Sequence, residues 1–356
     1  MYRIQGTVLP DDRVVEVFVV DGRFTFTPVE GIKTLAEDVV LLPGLVDVHA
    51  HLSLNSPTAT ADAHERVRAR ARAHLDAGVL AVREPGSPDY AAGDIGSDEL
   101  LPTVFTAGRF LSPPGAYFPD LAREVTAGEL PAAAQQELAR SGGWVKLIGD
   151  SHNSGWLRQT YPDDALTEAA RVVHDAGGRI AIHCALPETI AAAVSAGFDS
   201  LEHGSFLRSD QVADVSAAGT LWVPTCSINQ AWLEVVRSEG YSTERLRRFA
   251  EGMDGQGDVL RAAVDAGVPV LAGTDAGLTE HGTISHEIGL LLAAGIDPHV
   301  ALGAGSWLAR AWLGLPLIEE GAPADLVAYR EDPRTSLDTL QKPALVMLGG
   351  RIVSRS

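Results

Sequence analysis

The feature that most constrains the fold of this chain is an alternation of short buried strand-like runs with amphipathic helical runs. Apolar runs such as residues 79–83, 144–148 and 179–184 are typical of strands, and intervening segments such as 164–176 have helical spacing. Strands that alternate with helices build a parallel sheet. About eight such units favour an α/β fold with a closed (β/α)₈ TIM-like barrel over an open doubly wound sheet. No Gly-x-Gly-x-x-Gly follows the first strand, which disfavours dinucleotide binding.

Both ends of the chain have a different character from the middle. Residues 14–20 and 23–29 alternate apolar and polar side chains around Asp21-Gly22, which predicts a hairpin. Residues 324–329 and 344–348 also have the pattern of strands. We therefore predict one small β domain from residues 1–43 and 319–356, beside a barrel over residues 44–318. Two unrelated edge hairpins fit the same pattern equally well.

Composition narrows the range of partners. The net charge of −19 argues against nucleic acid and anionic membrane surfaces. No apolar run approaches the roughly 18 residues of a membrane span, and the first residues do not resemble a signal peptide. The two cysteines make no disulfide framework. We expect a cytoplasmic protein with a small-molecule substrate, no nucleic-acid partner and no membrane partner, and a homo-oligomer is left open.

Metal-compatible residues occur at the ends of the predicted strands, where parallel barrels carry their active sites. The run over residues 41–52 places two histidines on one strand face, because strand side chains alternate. The candidate metal ligands are His49, His51, Lys146, His183, His203 and Asp275. Each has a simpler explanation alone, as a hydrogen-bonded core histidine or a turn-capping aspartate. Their shared position at one end of the strands favours a metal centre.

Lys146 lies between apolar neighbours in the run over residues 144–148. Burial of a charged lysine is costly, so its pKa should fall or it should find a partner. A neutral lysine can form a Schiff base. Beside metal-binding histidines, it can instead react with CO₂ to give a carbamate that bridges two ions. A lysine that extends to the strand end is the structural alternative.

The motif Pro-Gly-Leu-Val-Asp-Val-His-Ala-His at 43–51, together with Lys146, His183, His203 and Gly-Thr-Asp at 273–275, resembles the amidohydrolase superfamily. Within it, the chain is similar to imidazolonepropionase-like enzymes and to metal-dependent Xaa-Pro or Xaa-Arg dipeptidases. The resemblance extends over almost the whole chain and implies a small β-sandwich formed by both termini.

The same resemblance implies a binuclear site of two divalent metal ions, usually zinc. His49, His51 and Asp275 would hold one ion, and His183 and His203 the other. A carbamate on Lys146, derived from CO₂, would bridge them. Asp275 would be the catalytic residue that accepts a proton during hydroxide attack and passes it to the leaving amine. An unmodified Lys146 would favour a mononuclear site.

Four residues are candidates for substrate binding, and each also has a structural explanation. Arg83 could bind a carboxylate, although a salt bridge to Glu84 or another acid is the stronger interpretation. Tyr117 could cover the site or pack a loop. His152 and His281 lie on loops at the active end. Relatives in the dipeptidase group commonly carry a Tyr or His where this chain has Ala185, which weakens the case for dipeptidase activity.

Three functions are compatible with these residues. The first is a metal-dependent hydrolase that cleaves a C–N bond of a small amide, cyclic amide, acyl-amino acid or dipeptide. The second is a lactone, ester or organophosphate hydrolase, because hydroxide attack does not itself select nitrogen. The third is an inactive protein of the same fold, which the complete set of ligand residues disfavours.

Overall fold

The computed structural model describes residues 1–54, 62–95, 98, 100–118, 120–151, 157–238 and 244–356, with the backbone alone at 235–237, 244–246 and 248. The strands, numbered along the chain, are β1 (Tyr2–Val8), β2 (Arg13–Val20), β3 (Arg23–Thr25), β4 (Lys33–Leu42), β5 (Leu45–Asp47), β6 (Val79–Glu84), β7 (Thr103–Thr106), β8 (Phe110–Ser112), β9 (Ala122–Glu124), β10 (Trp144–Ile148), β11 (Asp150–Ser151), β12 (Arg158–Gln159), β13 (Arg179–Cys184), β14 (Ser200–His203), β15 (Leu221–Val223), β16 (Leu326–Tyr329), β17 (Leu345–Leu348) and β18 (Arg351–Arg355).

The helices, also in chain order, are α1 (Ala63–Asp76), α2 (Ala91–Asp94), α3 (Leu130–Ser141), α4 (Asp163–Asp175), α5 (Pro187–Ala196), α6 (Val212–Ala218), α7 (Cys226–Ser238), α8 (Glu244–Met253), α9 (Gln256–Asp265), α10 (Ile284–Ala293), α11 (Pro298–Ala304), α12 (Trp307–Trp312) and α13 (Leu337–Leu340). A 3₁₀ turn, Ser209–Gln211, leads into α6.

Strands from both chain ends pair in one sheet. Its order is β18-β17-β16-β4-β1-β2-β3, with β4 parallel to β1 and antiparallel to β16. The predicted hairpin is present: Val20 pairs with Arg23, and both Asp21 and Gly22 have positive φ, as a tight two-residue turn requires. Ile4, Phe24 and other buried side chains give this sheet its own apolar core. The two chain ends therefore build one β structure rather than separate hairpins.

Parallel strands dominate the middle of the chain. One sheet has the order β5-β6-β7 and another the order β15-β14-β13-β10-β8-β9. Residues 268–275, predicted as a strand, form no continuous strand, but the backbone of this segment pairs on both sides. Leu271 N donates to Trp222 O of β15 at 3.1 Å, and Val48 N, just after β5, donates to Ala272 O at 3.1 Å. This arrangement confirms the predicted α/β class with parallel sheets.

The helices pack apolar faces onto these sheets. In α4, Leu166, Ala170 and Val173 are buried at helical spacing, while Asp163 and Asp164 stand in its first turn, where the helix dipole favours negative charge. At the end of α1, Gly78 has a φ of 84°, the left-handed conformation that ends many helices. Among the helices of the described ranges, none has both the length and the apolar character needed to span a bilayer.

Candidate metal centre

The ends of the parallel strands carry a compact group of two histidines and one aspartate. His49 and His51 follow β5, and Asp275 lies in the segment 268–275. Asp275 Oδ1 is 3.4 Å from His49 Nε2 and 3.1 Å from His51 Nε2. Ligand atoms of all three residues lie within 4.8 Å of one another, and all three are buried. The fold therefore brings together residues that are 226 positions apart in sequence (275 − 49).

His203 and His183 continue this group across the ends of β14 and β13. The ring centroids of His49 and His203 are 5.0 Å apart, and those of His203 and His183 are 4.5 Å apart. Burial lowers the pKa of His203 well below its usual value, with His183 adding to the effect. Neutral imidazoles are the form that binds metal ions.

Lys146 is only 1% exposed and projects from β10, which pairs with β13. Burial lowers its pKa to about 8, and the carboxylates of Glu202 and Asp275 limit the decrease. A substantial fraction of the amine is therefore neutral near pH 8, as the reaction with CO₂ requires. The sequence analysis anticipated both the burial and the direction of this shift.

The second ring nitrogen of each of three histidines has a defined partner. His49 Nδ1 donates to Glu202 Oε2 at 2.6 Å, and His51 Nδ1 donates to Gly86 O at 2.7 Å. His203 Nδ1 lies 2.8 Å from Thr225 Oγ1. A carboxylate or carbonyl can only accept, so Nε2 of His49 and of His51 is left with its lone pair, the state that a metal ligand needs.

These residues suit a divalent metal ion. His49 Nε2 is buried and has no hydrogen-bond partner, which is costly unless a bound group occupies the position. Asp275 Oδ1 faces both Nε2 atoms, at 3.4 and 3.1 Å, and a carboxyl oxygen beside two nitrogen lone pairs is an arrangement that a bound cation would stabilise. Imidazole nitrogens and a carboxylate oxygen are ordinary zinc ligands.

Unusual backbone conformations orient part of the group. His203 and Asp275 have φ values of 69° and 56°, in the left-handed region that residues other than glycine rarely adopt. Neighbouring strand residues normally face opposite sides. Glu202 and His203 nevertheless both approach the His49 ring. The left-handed turn at His203 explains how two consecutive side chains reach the same place, and such strain is typical of functional sites.

Comparison with known proteins agrees with this geometry. The model of the amidohydrolase family matches residues 40–353, which is most of the chain. The chain belongs to the amidohydrolase family. An uncharacterized protein of Mycobacterium tuberculosis is 38% identical over 356 residues, covering 98% of this chain and 94% of that protein. Membership of the family confirms the predicted class, a hydrolase acting on C–N bonds.

The fold of this chain is similar to that of many solved structures, including those of a dipeptidase and an ochratoxinase. A Xaa-Pro dipeptidase with methionine bound in its active site has a TM-score of 0.86 at 21% identity, over 99% of both chains. The ochratoxinase of Aspergillus niger has a TM-score of 0.83 at 20% identity, over 99% of this chain and 95% of that one. In sequence, ochratoxinase is 29% identical over 163 residues, 44% of this chain and 33% of ochratoxinase. The structural likeness identifies the fold.

Arg83 of this amidohydrolase does not lie open to a substrate. It is fully buried, and its Nη2 donates to Glu202 Oε1 at 2.6 Å while its Nε donates to Val48 O at 2.7 Å. Arg83 forms a structural salt bridge, and its partner is Glu202 rather than Glu84. The structure therefore does not support Arg83 as a substrate-binding residue, because its Nε and Nη2 already donate to buried acceptors.

The other substrate-binding candidates have different positions. The Tyr117 ring lies 5.9 Å from the His183 ring, at the wall of the metal group. His281 Nδ1 is 3.1 Å from Nε2 of His74 in α1, so it is not part of the ligand group. His152 lies outside the described residues. The backbone N–H of Ala185, where a side-chain donor is missing, donates to Asp150 Oδ2 at 2.8 Å.

Sequence reasoning missed Glu202, Thr225 and Asp47, none of which stands out by residue type. Glu202 directly precedes His203, and the alternation of strand side chains predicts that the two face opposite sides. A signal was available: a glutamate within a short buried strand needs a partner, and so does an arginine within the apolar run of β6. Their opposite charges could have been matched.

Proposed function

We propose that this amidohydrolase is a metal-dependent enzyme that cleaves a C–N bond in a small amide, cyclic amide, acyl-amino acid or dipeptide. The observation that carries the proposal is the buried group of His49, His51 and Asp275, in which His49 Nε2 has no hydrogen-bond partner. The names of several structural relatives are compatible with this chemistry, including Xaa-Pro dipeptidase, molinate hydrolase and phenylurea hydrolase B.

The ligand residues divide into two groups. His49, His51 and Asp275 would hold one divalent ion, zinc being the expected metal. His183 and His203 would hold a second, and a carbamate on Lys146 would bridge the two positions. When bound, such ions lower the pKa of water and polarise a substrate carbonyl. The row of imidazole rings, with neighbouring centroids 4.5 to 5.1 Å apart, supports this division.

Three residues of the chain have distinct tasks in the proposed reaction. Asp275 accepts a proton from the attacking water and delivers it to the leaving amine. Lys146 adds its neutral amine to CO₂, forming an N–C bond and releasing a proton. Tyr117 stays protonated, because burial raises its pKa, so its hydroxyl can donate a hydrogen bond to the substrate.

We also propose that the parallel strands close into a (β/α)₈ barrel over residues 44–318, with the terminal sheet folding into a small β-sandwich. Backbone hydrogen bonds run from β15 through residues 268–275 to Val48. At the other edge, Ala107 N, after β7, donates to Glu84 O of β6, and Leu111 of β8 pairs with Leu147 of β10. These links support a continuous ring.

Arg83 does not anchor a substrate carboxylate, since Glu202 and Val48 occupy its donors. Neutral amides and cyclic amides, which need no such anchor, therefore belong in the substrate panel beside acyl-amino acids and dipeptides. Lactones and esters are the competing substrates, and a panel of matched amide and lactone pairs would separate the two activities by kcat/KM.

The decisive experiment measures metal dependence. Purified protein would be analysed for metal content, stripped with a chelator, and assayed before and after addition of Zn²⁺ or Mn²⁺. We expect turnover to disappear on stripping and to return with the metal. Full amide hydrolysis by the metal-free protein would show that the proposal is wrong.

A further inference from the structure

Glu202 stands between His49 and Arg83 in the interior of the sheet assembly. Its Oε2 accepts from His49 Nδ1, and its Oε1 accepts from Arg83 Nη2 and from Ser200 Oγ, each at 2.6 Å. The side chains of Glu202, His49 and Arg83 have no exposed surface. The Arg83 guanidinium, a permanent cation, forms a salt bridge with this carboxyl and so favours its ionised form.

Arg83 holds this carboxylate in a defined place. Its Nε donates to the carbonyl of Val48, the residue before His49, at 2.7 Å. Its guanidinium also lies over the rings of Trp144 and Trp312, 4.9 and 5.2 Å from their centroids. These two aromatic contacts and the hydrogen bonds to Val48 and Glu202 leave the guanidinium little freedom, so Glu202 is oriented by a rigid partner.

The partner of His49 differs in kind from the partners of two other histidines. His51 donates to a neutral carbonyl, and His203 contacts a neutral hydroxyl. Only for His49, among these three, is the partner a carboxylate. A carboxylate on the far nitrogen fixes the tautomer and the ring orientation, and it makes the other nitrogen a stronger donor to a metal ion.

We propose that Glu202, held by Arg83, is a positioning residue that strengthens metal binding through His49. This inference rests on the proposed metal-dependent function and deepens it, because it assigns the affinity of one ion position to a residue that does not touch the ion. Glu202 accepts directly from His49, a ligand of the first ion position, so the test follows the ion held by His49, His51 and Asp275.

The competing explanation is that Glu202 and Arg83 form an ion pair that stabilises only the fold. Replacement of Glu202 alone would not separate the two, since Arg83 would remain buried without its anion. The double variant Glu202→Gln/Arg83→Met removes both charges and keeps side chains of similar length. The amide oxygen of the glutamine can still accept from His49 Nδ1, so the variant tests the charge.

The test is a calorimetric titration of the metal-free full chain with Zn²⁺, repeated with Co²⁺ to record its visible absorption. Thermal unfolding of the metal-free forms checks the fold. We expect the double variant to unfold at a temperature close to that of the wild-type chain. We expect it to bind the ion of highest affinity about 10- to 100-fold more weakly than the wild-type chain does. Wild-type affinity in a folded double variant would overturn the inference and leave the ion pair as a purely structural feature.

Two single variants complete the design. Glu202→Asp keeps a negative charge beside Arg83 but is too short to reach His49, so we expect it to weaken metal binding by a similar factor. This variant tests the inference even if the double variant does not fold. Unchanged metal affinity in Glu202→Asp would overturn the inference. Glu137→Gln, which neutralises a buried, arginine-paired carboxylate outside the metal group, is the matched control and should bind the ion with wild-type affinity. If the wild-type chain binds no divalent ion, the proposed function itself fails; if it binds ions and the variants match it, only this inference fails.

Discussion

Thr274 Oγ1 donates a 2.6 Å hydrogen bond to Asp47 Oδ2, and this contact joins the residue before Asp275 to the strand that leads into His49. Both side chains are fully buried. Asp47 Oδ1 also accepts from the backbone N–H groups of His49 and Thr274, each at 3.1 Å. One carboxylate therefore aligns two backbone segments that carry metal ligands.

Replacing Thr274 with valine should weaken both the fold and metal binding. The buried Asp47 oxygen would lose its hydroxyl partner, a loss of about 1–3 kcal/mol in the free energy of unfolding. Urea unfolding and Zn²⁺ titration would measure the two effects. Thr274→Ser keeps the hydroxyl and should stay close to wild type. If the serine and valine variants behave alike, the hydrogen bond is not the cause.

Gly273 should not tolerate a side chain. A Cβ atom there would lie 2.5 Å from His49 Cβ and 2.7 Å from Val223 Cγ1, closer than real contacts allow. Gly273→Ala should therefore displace the His49 backbone, lowering stability by about 1–3 kcal/mol and weakening metal affinity. Gly128→Ala, where a Cβ meets nothing within 4 Å, is the matched control. Normal metal binding by Gly273→Ala would contradict the expected displacement.

Lys146→Ala should abolish turnover and leave at most one tightly bound ion. The truncated side chain cannot carry the proposed bridging carbamate, while His49, His51 and Asp275 remain. Small carboxylates such as acetate should restore part of the activity by occupying the vacated space. Metal content and initial rates measure both effects, with the exposed Lys342→Ala as the control. A fully active Lys146→Ala enzyme would exclude a bridging role.

Glu84 should make the metal-free protein less stable at alkaline pH. Burial raises the pKa of its carboxyl from 4.5 to about 8. Between these values the folded chain binds a proton that the unfolded chain has released. The stability from this group is therefore complete below about pH 4.5 and declines as pH rises through about 8. Glu84→Gln, neutral at every pH, should be close to wild type in stability at pH 5 and increasingly more stable than wild type as the pH rises to 9.

The pH effect depends on a missing partner. Glu84 Oε1 accepts from Ser53 N at 3.1 Å, but Oε2 is buried without a hydrogen bond. Glu137 is also buried, yet it accepts from Arg123 at 2.8 Å. Glu137→Gln should therefore be destabilising at both pH values. Thermal midpoints recorded from pH 5 to 9 would measure this, and parallel curves for wild type and Glu84→Gln would refute the assignment.

The amino-acid sequence was sufficient to predict the α/β class and the amidohydrolase family, whereas the strand pattern at the two chain ends left their pairing in one sheet open. It also identified the metal-compatible residues at the strand ends, His49 and Asp275 among them. These features are local or periodic: the hydrophobic period separates strands from helices, and a strand end is recognisable from its own residues. The buried position of Lys146 follows from its apolar neighbours in the same run.

The tertiary structure alone decided which side chains meet. The left-handed backbone at His203 places Glu202 and His203 on the same side, against the strand alternation that sequence reasoning assumes. Arg83 pairs with Glu202 across 119 positions, and His281 meets His74 rather than the metal ligands. Such pairings depend on strand register and backbone angles, which a local sequence pattern does not specify. The residue types at each strand end, by contrast, can be read directly from the sequence.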